Sequence, residues 1–290
     1  MLRTRLLSTI LILITLSLPV VTLAAEHPLA GIPLRNIGPA LTSGRVADFA
    51  FLPGKSQTFY VAMASGGVWK TENNGITWKP IFDNESSFAI GVVEIDPSNP
   101  NIIWVGSGEN NAQRSVGYGD GVYKSVDGGK SWKHMGLKES GHISMIRFHP
   151  GDSNTIYVAA QGPLWSPGGD RGLYRSTDGG DNWKRILDID ENTGINEFVI
   201  DAANPDVIVA SSYQRRRHVW TLINGGPGSG IHKSTDGGVS WHKVAGGLPA
   251  GDLGRICLAA APSAPNMIYA IIEAGKKDQG VYRSTDFGES

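Results

Sequence analysis

One short phrase recurs five times in the 290 residues of this chain: a hydroxyl residue, a spacer, Asp or Asn, a spacer, Gly, a spacer, a hydroxyl or amide residue, then Trp. Its copies pair Asn73 with Trp78, Asp127 with Trp132, Asp178 with Trp183 and Asp236 with Trp241; a fifth, around Asp286, runs to Ser290 without a Trp. From Asn73 onward the Asp or Asn positions lie 54, 51, 58 and 50 residues apart. A period of about 40 to 50 residues, punctuated by turn residues, is the mark of propeller blades built from four strands each. The chain is therefore expected to be all-β, a β-propeller of four-stranded antiparallel blades.

Each unit divides accordingly. Apolar alternation predicts a first strand at residues 45–52, 89–95, 142–148, 195–200 and 255–260. After turns rich in Pro, Asn, Asp and Ser, a second strand follows at 58–62, 102–105, 155–159, 207–210 and 267–271. The third is the most uniform, Gly-Val-Trp-Lys at 67–70 and its counterparts at 121–124, 172–175, 230–233 and 280–283. It leads into the repeated phrase, whose Trp is read as opening the fourth strand. Blades are thus expected at 45–83, 89–136, 141–188, 194–246 and 254–290. The last lacks its fourth strand, residues 34–38 read as a lone outer strand, and the whole reads as a fragment of a propeller. Within the phrase, Asp or Asn can accept bonds from its own turn, Gly can supply a positive φ, and Trp can seal neighbouring strands. All of these residues, Asp286 included, are read as structural.

Before the repeats, Arg3 and Arg5 precede an uncharged apolar run to about Val21, and small residues follow at Ala24 and Ala25. Residues 1–25 therefore read as a cleaved secretory signal and 26–290 as an exported propeller domain, secreted or periplasmic, with no stable membrane insertion. Without Arg3 and Arg5 the basic count falls from 26 to 24 against 27 acids, so no surplus of positive charge asks for nucleic acid. Cys257, the only cysteine, excludes an internal disulfide and reads as a buried small hydrophobe between Ile256 and Leu258.

The phrase resembles the Asp-box, or bacterial neuraminidase repeat, of sialidases, xyloglucan-cleaving glycoside hydrolases, sortilin-type receptor domains and a photosystem assembly factor. A closer resemblance is to large exported bacterial proteins with sortilin-like amino-terminal propellers, often classed as glycosyl hydrolases by similarity. It is carried by residues 38–40 with Gly44 and Arg45, by 108–111 through Arg114 to 119–121, and by 213–217 with Trp220 and 225–230. The resemblance to xyloglucan-cleaving enzymes implies a catalytic Asp in a Thr-Asp-Ile-Gly-Gly segment. Here residues 63–67 read Met-Ala-Ser-Gly-Gly, with Ala64 in its place. The sialidase Arg-Ile-Pro signature is also missing, since residues 32–35 read Ile-Pro-Leu-Arg.

In a propeller the loops joining strand two to three, and strand four to the next blade, share one face. Insertions at 106–120, 161–171 and 211–229 bring to it Glu109, Asn110, Asn111, Arg114, Tyr118, Trp165, Arg171, Tyr213, Arg215, Arg216, Arg217, His218 and Trp220. Stacking and bidentate hydrogen bonds from such residues suit a carbohydrate, peptide or anionic ligand. Packing of these residues on one another is the equal alternative. Among the acids only Glu109 and Asp190 stand as candidate catalysts, and no spacing singles out a pair. Asp188, Asp190 and Asn192 begin a calcium-loop spacing that Gly194 and Val199 break, and residues 225–234 fail the phosphate-loop pattern at His232. No metal and no cofactor are expected. The leading expectation is a binding module, sortilin-like in architecture, for a protein, peptide or polysaccharide; the alternatives are an exported glycoside hydrolase and an envelope assembly scaffold.

Overall fold

A computed structural model describes residues 44–111, 116–261 and 263–290, all within one compact unit, Gly38–Ser290. The expected signal segment, the lone strand at 34–38 and Arg114 lie outside the described residues.

Among the described residues, twenty strands form five antiparallel sheets that follow one another in chain order. The first holds β1 (Val46–Phe51), β2 (Phe59–Met63), β3 (Val68–Thr71) and β4 (Lys79–Pro80), and the second β5 (Ile90–Ile95), β6 (Ile103–Ser107), β7 (Val122–Ser125) and β8 (Lys133–His134). The third holds β9 (Ile143–His149), β10 (Asp152–Ala160), β11 (Gly172–Ser176) and β12 (Lys184–Leu187). In the fourth, β13 (Thr193–Ile200), β14 (Ile208–Arg217), β16 (Gly230–Ser234) and β17 (His242–Lys243) are joined by β15 (Leu222–Asn224), which pairs only with β14. The fifth holds β18 (Ile256–Ala260), β19 (Ile268–Ile272) and β20 (Gly280–Ser284). The fold is the β-propeller type that the repeat predicts. Two local expectations are corrected. The Trp of the first four phrases precedes the fourth strand instead of opening it, and at Trp132, Trp183 and Trp241 the ring packs into the seam with the neighbouring blade. Residues 211–217, expected in a loop, extend β14 and pair with β15 through Arg215 to Asn224 and Arg217 to Leu222.

The repeated turn is built from its own hydrogen bonds. Asp127 Oδ1 accepts from the Ser125 hydroxyl (2.8 Å) and from the N–H groups of Lys130 (2.9 Å) and Ser131 (3.0 Å), and Oδ2 accepts from the Ser131 hydroxyl (2.6 Å). Asp178, Asp236 and Asp286 repeat the pattern. The residue after each is left-handed and donates its N–H to the first turn of the same blade: Gly128 to Asn101, Gly179 to Asn154, Gly237 to Asp206. Asn74 and Phe287 hold that conformation without being glycine, at φ 56° and 54°, because the same bond, to Gln57 and Asn266, fixes them. The second glycine of the phrase is required for space as well: a Cβ on Gly180 would stand 2.2 Å from the Trp104 ring of the preceding blade.

The core is divided among the seams between blades. Four buried apolar clusters fill them, around Tyr60 and Phe82, Trp104 and Ile146, Tyr157 and Phe198, and Leu258 and Ile268. Each is a layer of side chains that a single twisted sheet cannot cover alone. Polar ties cross the same seams. Trp132 and Trp183 donate their indole N–H to the carbonyls of Ile81 and Met135, both at 2.7 Å. Trp241 packs in the same way with no acceptor for its N–H among the described residues. Lys124 reaches the carbonyl of Gly179 (3.0 Å) and Arg175 that of Gly237 (2.6 Å). Nearer the axis, Asp48 accepts from the N–H of Val93 (3.1 Å) and Glu197 from that of Leu258 (2.6 Å), so that groups on the free edge of an inner strand are capped by the blade before it.

Replacing Trp183 by Ala should cost about 3 kcal/mol and by Phe about 1 kcal/mol, whereas Trp78, 41% exposed, should cost less than half as much when replaced by Ala. Chemical unfolding measures all three, and equal losses at Trp78 and Trp183 would count against seam burial as the stabilising contact.

Donated hydroxyl and N–H groups hold the turn carboxylates below the usual range, that of Asp178 down to about 2. Their contribution is present above an unfolded pKa of about 4 and is lost as pH falls through the folded values. Glu94 runs the other way: burial raises it to about 7 despite its bond from Arg147, so its contribution is present below its ordinary value of 4.5 and lost as pH rises through about 7. The thermal midpoint should therefore drop on acidification below about pH 4, less steeply in Asp178→Asn. Glu94→Gln should remove a separate slope around neutral pH.

Candidate functional site

The loops opposite the repeated turns gather at one face because short backbone bonds tie each strand-two exit to the start of its own blade. Ala64 donates to Arg45 (2.9 Å), Gly108 to Ala89 (2.6 Å), Gln161 to His142 (2.9 Å) and Glu273 to Arg255 (3.0 Å). Gly108 adopts φ 91°, where a Cβ would meet the Gly141 carbonyl at 2.0 Å, so the second blade's loop can lie against the start of the third blade only with glycine there.

Glu109 follows directly and turns inward. Its buried carboxylate is ion-paired with Arg45 and accepts from the N–H of Gly117 (3.3 Å). Asp190, the other candidate acid, is exposed and accepts from the N–H of Asn192 (2.7 Å), the bond of a local turn. No contact among the described residues brings the two carboxylates together. Ala64 is buried. Asp120 is also committed, to the hydroxyls of Ser86, Ser107 and Tyr123.

The arginines form the densest part of the face, at the junction of the third and fourth blades. Arg171 sends its guanidinium to the backbone carbonyls of Gln161, Pro163 and Ser166, folding the 161–171 loop around itself. Arg215 bonds the side-chain oxygen of Gln161 and the carbonyl of Asn111, bridging three blades' loops. Arg216 donates to Asn192 Oδ1 (2.7 Å). Burial pulls Arg171 and Arg215 down to about 10. Beside them His142 is wholly buried, its ring 5.1 Å from that of Tyr118 and neither nitrogen bonded among the described residues; burial, with Arg215 and Arg171 nearby, pushes it down to about 3, so it is neutral.

Rings face outward above this layer. Trp165 is 43% exposed and Trp220 is 82% exposed, and Trp220 lies stacked on His218 at 5.4 Å and 13° on the turn between β14 and β15. Tyr118 is exposed too, while Asn110 and Arg217 are half-buried. Tyr213 departs from expectation. It is buried, and its hydroxyl bonds Asn224, so it fastens the β14–β15 hairpin and presents nothing to a ligand. Gln161 and Asn192, which join the arginines, carry no signal in the sequence: an isolated amide in a loop gains meaning only from what the fold puts beside it. Among the described residues no group of three or more His, Cys, Asp or Glu side chains is arranged to hold a metal ion.

Comparison with known proteins agrees with the architecture. Residues 120–244 match the family model described as Sortilin-Vps10, sortilin, neurotensin receptor 3. Xyloglucanase Xgh74A of Acetivibrio thermocellus is 26% identical over 229 residues, 66% of this chain and 24% of that protein. A probable oligoxyloglucan-reducing end-specific xyloglucanase of Neosartorya fischeri is 30% identical over 146 residues, 48% of this chain and 16% of that protein. Among solved structures, an ancestral GH74 enzyme superposes with a TM-score of 0.65 at 21% identity, covering 85% of this chain and 31% of that one. The GH74 enzyme of Niastella koreensis gives 0.61 at 19% identity, covering 84% and 37%. The chain thus spans about a quarter or less of the curated relatives, and what it shares with the solved structures is the β-propeller fold.

Proposed function

We propose that this chain is the polysaccharide-binding part of an exported propeller of the glycoside-hydrolase type, its repeated turns being Asp-boxes and its glycan lying across the loop face. The observation that carries this reading is the set of outward rings, Tyr118, Trp165 and Trp220, above a rigid polar floor. Large apolar rings left in water at the loop face suit the flat faces of pyranose units, and the bonded arginines and amides beneath them tie the loops together. Similarity to proteins named xyloglucanase supports a polysaccharide over a protein or peptide as the ligand. Export rests on the amino-terminal segment.

Bond cleavage needs two carboxylates about 5 to 9.5 Å apart across the scissile bond. Glu109 is held by Arg45 and Gly117, and Ala64 occupies the position where the xyloglucan-cleaving pattern has Asp. We therefore assign the loop face to substrate binding and leave hydrolysis to carboxylates other than Glu109.

Retention on a panel of immobilised neutral and acidic polysaccharides tests the reading, alongside release of reducing sugar from the same panel. Trp165→Ala and Trp220→Ala should each weaken retention by about 1 kcal/mol, roughly fivefold. Retention of none of the polysaccharides, or retention indifferent to both substitutions, would remove the basis for it.

A further inference from the structure

Among the described residues, the three arginines at the junction of the third and fourth blades reach no counter-charge by hydrogen bond or ion pair. Arg171, Arg215 and Arg216 are 1%, 2% and 8% exposed. Every acceptor they reach is neutral: the carbonyls of Gln161, Pro163, Ser166 and Asn111, and the side-chain oxygens of Gln161 and Asn192. None of the ion pairs among the described residues involves them. Glu109, the buried carboxylate of the face, is taken by Arg45. Asp190 and Glu191 act on Arg171 only at a distance, from exposed positions. Among the described residues, the Nε of each arginine and both nitrogens of the His142 ring are buried with no hydrogen-bond partner.

A loop can be stapled by one guanidinium reaching backbone carbonyls, as Arg171 does. Burial without an opposite charge is unfavourable for each guanidinium, and Arg171 also feels the charges of Arg216 and Arg215. Such an arrangement stores a positive potential in a poorly solvated region, where its field is focused on whatever approaches. Trp165, exposed on the same loop as Arg171, supplies an apolar platform beside that field.

We infer that this junction accepts the carboxylate of a uronic acid unit in an acidic polysaccharide, with the sugar ring seated on Trp165. The inference rests on the polysaccharide reading above and narrows it to charged glycans. The ligand's carboxylate supplies the opposite charge that the arginines lack: Arg216, the most exposed of the three, is its hydrogen-bond donor, while Arg171 and Arg215, whose terminal nitrogens are already bonded, act through their field. A neutral glycan would leave that charge unmet.

The test is affinity electrophoresis and calorimetry of the full chain with polygalacturonate, the same polymer after reduction of its carboxyl groups, neutral xyloglucan, and poly-glutamate. Polygalacturonate should bind at least about tenfold more tightly than its carboxyl-reduced form, and the contrast should vanish near 1 M salt, where screening acts over about 3 Å. Arg216→Gln should lose most of the contrast, Arg216→Lys should keep part of it, and Trp165→Ala should weaken both polymers alike. Should Arg216→Gln fail to fold, the wild-type contrast between the two polymers still decides. Equal binding of the two polymers overturns the inference, as does a contrast that persists in high salt or poly-glutamate binding as tightly as polygalacturonate. Retention of xyloglucan without polygalacturonate overturns this inference alone and leaves the polysaccharide reading intact; retention of no glycan removes both.

Discussion

Burial of apolar side chains between adjacent sheets is the interaction on which everything else in this molecule depends. A sheet of four short strands has two faces and no interior, so a blade acquires a core only by lying against another. The four clusters at the four seams are that core, divided into slices. Gly180 shows how closely the slices fit: the glycine both turns the chain and leaves room for the Trp104 ring of the blade before it. The indole bonds of Trp132 and Trp183 and the cross-seam cations then fix how each blade is laid on the last.

Because stability lies at the seams and along the repeated turns, the opposite face is free to differ from blade to blade. Between β2 and β3 the chain takes four residues, and between β6 and β7 it takes fourteen. The longest excursions meet at the junction of the third and fourth blades. There Arg215 bonds the 161–171 loop and the segment at Asn111 at once, so a ligand at this junction would meet parts of three blades.

How much of this could be read beforehand varied with the range of the interactions involved. The blades were legible because their signal is local and repeated: a turn whose Asp, Gly and hydroxyl residues bond one another leaves the same residues at the same spacing wherever it occurs. The long β14 was hidden because residues 213–217 and 222–224 lack the alternation of a strand, and they pair only because Tyr213 and Asn224 lock the hairpin. Tyr213 was grouped with Trp220 for the same reason, since both are rings in one polar stretch, and only the hairpin turns one inward and the other out. Glu109 lies in the β6–β7 loop, but its partner Arg45 lies 64 positions away, and no spacing rule joins them. The alignment of Arg171, Arg215 and Arg216 on neutral acceptors is likewise a property of two blades meeting, which neither blade's sequence contains.

The turn-to-turn bond on the rim, repeated from Asn74 to Phe287, has a consequence for how such a chain can change over time. Each blade is closed upon itself at that end by one backbone bond that requires a left-handed residue, so an added or deleted residue there would break the blade and both seams it serves. At the other end the closing bonds stop at the strand-two exits, as from Ala64 to Arg45 and from Gln161 to His142, and the loops beyond them differ in length and in bonding. The molecule has one conserved-by-geometry side and one editable side, and new recognition can be acquired on the second without renegotiating the fold.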